Sequence, residues 1–205
     1  VFYNAIVPST YTGEIPQRPG RLVFVGRVVA GKGWSIFLNA VAALRSRGMD
    51  VEGELLGDGA DLAKARRRVT GLGLDGVVAV RGRVSQDEVR RVLRGATLVN
   101  PTILSEGFQT TLLEAIAESG RVVTFDVPGA RLLRDSGAPV RVCPDRTEES
   151  LIETLAGALY EPDPLASPEL ITKWTWPVRI GEYIQIVEEV VGAHSSNSPS
   201  PKTII

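Results

Sequence analysis

The sequence predicts an α/β fold, a doubly wound and mostly parallel Rossmann-like sheet with helices on both faces, and three observations carry that prediction. Short apolar runs, RLVFVG first, alternate along the chain with segments whose apolar residues fall at helical spacing. The runs are continuous rather than alternating with polar residues, as strands covered on both faces require. Glycine-bearing loops follow the first three of them, at Gly26, at Gly57-Asp58-Gly59 and at Gly82. A chain of 205 residues can build one such domain with appendages, and buries enough apolar surface to fold without disulfide or metal.

Residues 1–19 run through Asn, Pro, Ser, Thr and Gly before any periodicity begins, and read as a hinge or linker leading into a domain. With Val1 in first place, they also suggest a fragment of a longer protein. The domain is expected over 20–192. Its first strand is RLVFVG, and a helix follows from near Trp34, with Phe37, Ala40, Val41 and Leu44 at helical spacing. Arg45 and Arg47 suit that helix's C-terminus, and Gly48 can close it. VEGELL from Val51 is the second strand, turned by Gly57-Asp58-Gly59 into the helix ADLAKARRRV. VVAV, 77–80, is the third, leading to a loop of Arg81, Gly82 and Arg83.

Ser85 with Glu88 makes a capping-box start for a helix ending near Arg94 and Gly95. TLV is the fourth strand, RVVTF the fifth and APVRV from Ala138 the sixth. Thr147, followed by two glutamates, opens a helix reaching about Tyr160. Beyond the proline-broken stretch EPDPLASPEL, a last helix is expected from Trp176-Pro177 to Gly192, burying Tyr183, Val187, Val190 and Val191. The polar tail 193–205 is expected to be disordered.

Composition removes several function classes. Basic and acidic residues number 23 and 24, well interspersed, for a formal charge of −1, which argues against a nucleic-acid partner. A single cysteine, Cys143, excludes an intrachain disulfide and fits a reducing compartment. No apolar run approaches the ~20 residues that cross a bilayer, and no signal-peptide pattern is present. The only histidine, His194, lies at the edge of the tail, so histidine chemistry inside this chain is excluded, and no cluster of metal ligands occurs.

Two constellations could carry chemistry. In the first, Gly26, Arg27, Gly31 and Lys32 form a glycine turn between a strand and a helix N-terminus. Two cations with backbone N–H groups make a place for phosphate, unless both are solvated loop charges. The spacing matches most of a P-loop, with Asp126 at the end of a hydrophobic strand, but Gly33 stands where that loop needs a magnesium-binding Ser or Thr. Gly57-Asp58-Gly59 lacks the third glycine of a dinucleotide fingerprint and reads as a tight turn.

The second constellation is SEGFQTTLLEAIAESG, 105–120. Glu106 leaves the carboxyl end of the fourth strand and Glu114 falls in the first turn of the next helix, where open α/β sheets bind ligands. Thr111 with Glu114 is itself a capping box, which would explain Glu114 without function. Paired carboxylates could instead accept hydrogen bonds from a sugar's hydroxyls. Arg66, Arg67 and Arg68 read as a solvated face, Cys143 as core, and Trp174 and Trp176 as packing anchors of the last helix.

Together FVGRVVAGKG, GDG, VRGRVSQDEV and NPTILSEGFQTTLLEAIAESGRVVTFDVPG resemble, in this order, the C-terminal nucleotide-sugar-binding domain of family 4 glycosyltransferases. These are retaining enzymes of two Rossmann-like domains, the GT-B architecture. The resemblance covers roughly 20–190 and implies roles by position. Arg27 and Lys32, with Gly26, would bind the donor diphosphate and stabilise the leaving nucleotide. Glu114 would hold the ribose hydroxyls, and Glu106 would lie against the transferred sugar. Phe108, Gln109 and Thr110 would close over sugar and phosphate, and Arg81, Gly82, Arg83 and Val84 would flank the base.

The resemblance also implies a UDP- or GDP-linked sugar as substrate, no required cofactor or metal, and a missing N-terminal acceptor domain towards which the Trp176 helix returns. It implies a cytoplasmic enzyme able to work at the inner face of the membrane in polysaccharide or glycolipid synthesis, the isolated chain transferring nothing. Two departures stand out. The family often has glycine where Gln109 stands, which suggests a loop shaped for a different sugar. Pro128-Gly129-Ala130-Arg131 replaces a Gly-Gly followed by Glu. The alternatives are a P-loop-like nucleotide module and a non-catalytic nucleotide-sugar sensor.

Overall fold

The computed structural model describes residues 5–7, 11, 13–104, 107–161 and 163–196. Six strands form one sheet: β1 (Arg21–Val25), β2 (Glu52–Leu56), β3 (Val78–Gly82), β4 (Thr97–Asn100), β5 (Arg121–Thr124) and β6 (Val140–Val142). Their order is β3-β2-β1-β4-β5-β6, and every neighbouring pair is parallel. The expected doubly wound sheet is therefore what forms. Strand order reverses between β1 and β4, which makes their carboxyl ends the topological switch point.

Successive strand residues face opposite sides, so each strand feeds two cores. Leu22 and Phe24 of β1 pack with Phe37, Leu38, Val41 and Leu155 on one face, under α1 (Trp34–Ser46), α2 (Leu62–Gly71) and α6 (Glu148–Tyr160). Val23 packs with Leu93, Leu112, Leu133 and Leu170 on the other, under α3 (Gln86–Leu93), α4 (Thr110–Ala117), α5 (Ala130–Asp135) and α7 (Pro168–Lys173). Burial on both faces is why the strands read as unbroken apolar runs.

Helix starts follow their caps. Ser85 accepts from the Glu88 N–H at 3.2 Å, and Thr147 from the Ser150 N–H at 3.2 Å. The Ser85 box is not reciprocal in its strongest contacts, because the Glu88 carboxylate holds Arg81 and Arg91. Ser85→Ala is expected to destabilise the domain by about 1 kcal/mol, read as a lower urea midpoint at unchanged slope.

Four expectations need correction. The third strand runs on through Arg81 and Gly82, which are strand residues and not loop, because Gly82 O still accepts the Gly57 N–H at 2.8 Å. Six-residue α5 and α7 appear where no helix was expected, although Ser167 caps α7 and Pro168 occupies its first turn. The last helix, α8 (Trp176–Ser196), continues past Gly192. Its residues Tyr183, Val187, Val190 and Val191 are exposed by 41–59%, not buried, since the sheet's cores are already closed by the other helices. The hinge 1–19 is described only in part, and the tail 197–205 lies outside the described residues.

Candidate functional site

Three glycines mark the carboxyl ends of β1, β2 and β3. The Gly26 N–H donates to Leu56 O at 3.0 Å, and the Gly57 N–H donates to Gly82 O at 2.8 Å. Gly57 has φ +136°, and a Cβ there would sit 1.8 Å from Gly26 O. The strand ends therefore come closer than any side chain permits. The turn then wraps the next loop: Val28 N–H donates to Asp58 O, and Val28 O accepts from Asp61 N–H, both at 2.9 Å. Gly57-Asp58-Gly59 is thus more than a tight turn.

Two hollows open on this edge. One, of about 220 Å³, has an apolar floor of Val25, Leu56 and Val89 and a rim of Arg27, Asp58 and Arg83, with Gly26, Gly57 and Val84 between. The other, of about 190 Å³, is lined by Lys32, Asn100, Phe108, Gln109, Thr110 and Thr111. Val25 and Gly26 line both, so the hollows adjoin at the switch point. Arg27 stands on one side and Lys32 on the other. An apolar floor beside two cations suits a ligand with a ring at one end and an anionic group in the middle.

The loop bearing Lys32 is held by the loop after β4. Gly31 O accepts from the Ile103 N–H at 2.9 Å and from Thr102 Oγ1 at 3.3 Å. Gly33 has φ +84°, and a Cβ there would lie 2.1 Å from Pro101 O. No Ser or Thr fits at 33, so the magnesium ligand of a P-loop has no place. Asp126, its other requirement, lines neither hollow and is held by Arg131 Nε at 3.0 Å and Nη2 at 2.6 Å.

The β4–α4 loop carries the second constellation. Asn100 Nδ2 donates to Gln109 Oε1 at 2.6 Å and to Thr124 Oγ1 at 3.0 Å. Gln109 is the N-cap of α4, but its side chain turns to Asn100, and among the described residues no side chain caps the helix. The Leu112 N–H donates to Gln109 O at 3.3 Å, and the N-terminal turn of α4 presents the positive end of its dipole on the side of the hollow that Lys32 lines.

The expected capping box is absent. The helix begins at Thr110, so Thr111 lies inside the first turn and Glu114, its fifth residue, lies beyond it. Glu114 lines neither hollow; it is half-buried, and Gln86 Nε2 of α3 donates to its Oε1 at 2.8 Å. Burial pushes its carboxyl above the usual range, against the Gln86 hydrogen bond and the Arg90 charge. Glu106 lies outside the described residues.

Other side chains have different employment. Arg81 lines neither hollow and pairs with Glu54 at 2.5 Å and Glu88 at 3.2 Å, in a run that begins at Arg21. Arg66, Arg67 and Arg68 are exposed, Arg68 donating to Asn39 Oδ1 at 2.6 Å. Cys143 is buried, which raises its thiol pKa. Asn100 and Asp58 are not among the site residues the sequence suggests, although Asp58 sits in a glycine turn after a strand, a signal that could have found it. No helix of the described residues is long and apolar enough to cross a membrane.

A family model described as Glycosyl transferases group 1 matches residues 19–160. GDP-mannose:cellobiosyl-diphosphopolyprenol alpha-mannosyltransferase of Xanthomonas oryzae pv. oryzae (strain PXO99A) is 25% identical over 201 residues, covering 94% of this chain and 53% of the relative. The lipopolysaccharide outer core galactosyltransferase WaaB in its apo form superposes with a TM-score of 0.75 at 19% identity, over 92% of this chain and 55% of that one. Anabaena HepE in complex with UDP-glucose gives a TM-score of 0.69 at 17% identity, over 85% of this chain and 49% of that one. The chain spans from about a third to about half the length of the curated relatives it matches, at 53%, 33% and 30%.

Proposed function

The chain belongs to the group 1 glycosyl transferases, and from that premise we propose that it is the donor half of a retaining enzyme, binding a nucleotide sugar whose acceptor is held by a second domain. The observation that carries the reading is the pair of adjoining hollows at the switch point, with Arg27 in the lining of one and Lys32 in the lining of the other. In this reading the base lies on Val25, Leu56 and Val89, flanked by Gly82, Arg83 and Val84. The diphosphate bridges Gly26, and the sugar extends under Phe108, Gln109 and Thr110 with Glu106 against it. Glu114, which lines neither hollow as it stands, has to swing from its Gln86 partner to accept from the ribose hydroxyls.

The chemistry asked of this half is modest. As the bond between the anomeric carbon and the diphosphate oxygen breaks, negative charge grows on the leaving group. Arg27, Lys32 and the N-terminus of α4 oppose that charge from places the fold has already set around the two hollows, which limits the reorganisation needed. The oxygen that replaces it comes from an acceptor outside this chain, in polysaccharide or glycolipid assembly, and the chain alone transfers nothing. Curated relatives include an enzyme named for GDP-mannose, and HepE is solved with UDP-glucose, so both nucleotides belong in the test.

Calorimetric titration with UDP, GDP and their glucose and mannose conjugates tests the proposal. One nucleotide is expected to bind, and Lys32→Ala to weaken it roughly ten- to a hundredfold, since a hydrogen bond to a charged group contributes about 1.5–3 kcal/mol. Equal binding by wild type and Lys32→Ala sinks the assignment. So does magnesium-dependent hydrolysis of ATP or GTP that disappears in the variant.

A further inference from the structure

Trp174 is the C-cap of α7 and Trp176 begins α8, yet the two rings have opposite fates: Trp174 is 8% exposed and Trp176 47%. What buries Trp174 is not only the core around Leu170. Its ring stacks on Phe108, with centroids 5.4 Å apart and planes 19° apart. Phe108 immediately precedes the α4 N-cap and lines the hollow that holds Lys32. On another side, the loop after β5 has made room for the Phe108 ring. Gly129 has φ +89°, and a Cβ there would come within 2.3 Å of Phe108 Cδ2.

The backbone of Trp174 is fixed from elsewhere in the chain. Its carbonyl accepts the Ile6 N–H at 2.9 Å, and Ile6 O accepts the Trp176 N–H at 3.1 Å. Ile6 and Thr175 thereby form a short parallel bridge, joining the segment that leads into the domain to the one that leads into α8. Beyond the ring, the Arg179 guanidinium lies 5.5 Å from the Trp174 centroid and pairs with Glu182. Ile6, Trp174, Phe108 and Gln109 are thus consecutive links between the crossing of two chain segments and the loop beside Lys32.

We infer that Trp174 is a positioning residue: it ties the Ile6–Thr175 crossing to Phe108 and so holds residues 107–111, the end of the β4–α4 loop and the start of α4, in the shape that receives the donor. The significance of the loop rests on the donor reading above; the mechanical link does not. An offset aromatic stack is a small interaction, but the loop it restrains is short and connects two regular elements. A contribution of that size changes the open population of such a loop severalfold.

Amide hydrogen exchange of the whole chain, with no ligand present, tests the link. Trp174→Leu is expected to speed exchange over 107–111 about three- to tenfold, with β2 unchanged. Trp174→Phe, which keeps a stacking ring, is expected to remain within about twofold of wild type. Ile6→Pro, which removes the N–H bound by the Trp174 carbonyl, is expected to loosen the same loop. Unchanged exchange at 107–111 in Trp174→Leu, or acceleration spread evenly over α3, α4 and α7, overturns the inference. Loosening by Trp174→Leu but not by Ile6→Pro overturns the coupling to the crossing.

Should Trp174→Leu not fold, Phe108→Leu in a Trp34→Phe, Trp176→Phe background leaves Trp174 as the only indole. A red-shifted Trp174 emission is expected there, and an unchanged spectrum counts against the stack. Adding UDP or GDP to wild type should slow exchange at 107–111. Failure of that arm alone speaks against the donor reading and leaves the Trp174–Phe108 link standing.

Discussion

Gly57→Ala is expected to lower stability by about 2–6 kcal/mol and to abolish donor binding together with it. Two effects add. At φ +136° an L side chain is strained, which costs about 1–3 kcal/mol. The new methyl would also lie 1.8 Å from Gly26 O, so the ends of β1 and β2 must part, an overpacking cost of about 1–3 kcal/mol more. Parting them breaks the Gly26 N–H to Leu56 O bond and tilts the floor shared by the two hollows. For a domain of this size, a melting point lower by roughly 4–24 °C should result. Circular dichroism melts and calorimetry on the same preparation check both halves. Gly48→Ala is the control: its φ is +77° but nothing lies within 4 Å of the added methyl, so only the strain should register. Equal losses in both variants would mean that the approach of the strand ends carries no energy.

The same close approach explains what could and could not be read from the chain. Gly26, Arg27 and Lys32 share one loop, and Phe108, Gln109 and Thr110 another, so their grouping follows from local sequence once strands are assigned. Asn100 acquires meaning only when β4 lies between β1 and β5. Its links to Gln109 and Thr124 cross 9 and 24 residues of sequence. Strand order is not written in local periodicity, so such contacts stay invisible.

Periodicity likewise shows which face of α8 is apolar but not what covers it, so the sequence predicts burial of Tyr183, Val187, Val190 and Val191, all of which are exposed. The six-residue helices α5 and α7 are too short for a 3.6-residue period to register. In the candidate site, Arg81 was read as a loop cation. A neighbouring strand's Glu54 holds it instead, a partnership set by sheet register.

Glu114 is where sequence and structure differ most usefully. Its capping explanation has gone, because α4 starts at Thr110 with Gln109 before it. What remains is a half-buried carboxylate with an amide partner and a pKa raised by burial. A carboxyl whose folded pKa lies above its unfolded value binds its proton more tightly in the folded state. Its stabilising contribution is complete below the unfolded pKa and is lost as pH rises through the folded one. At neutral pH the ionised group therefore opposes folding.

Glu114→Gln keeps the shape and the acceptor for Gln86 and removes the charge. The variant is expected to be more stable than wild type at pH 7, with the advantage shrinking as pH falls through the Glu114 pKa and reaching its minimum once the carboxyl is protonated in both states. Urea midpoints from pH 4 to 8 follow this directly. Nucleotide affinity should move the other way, weaker by roughly tenfold as a charge-assisted hydrogen bond becomes a neutral one, and wild-type affinity should itself fall as Glu114 protonates. A position where substitution raises stability and lowers binding is one held for its ligand. If Glu114→Gln instead lowers stability at pH 7 and leaves nucleotide affinity unchanged, Glu114 is only a strut between α3 and α4.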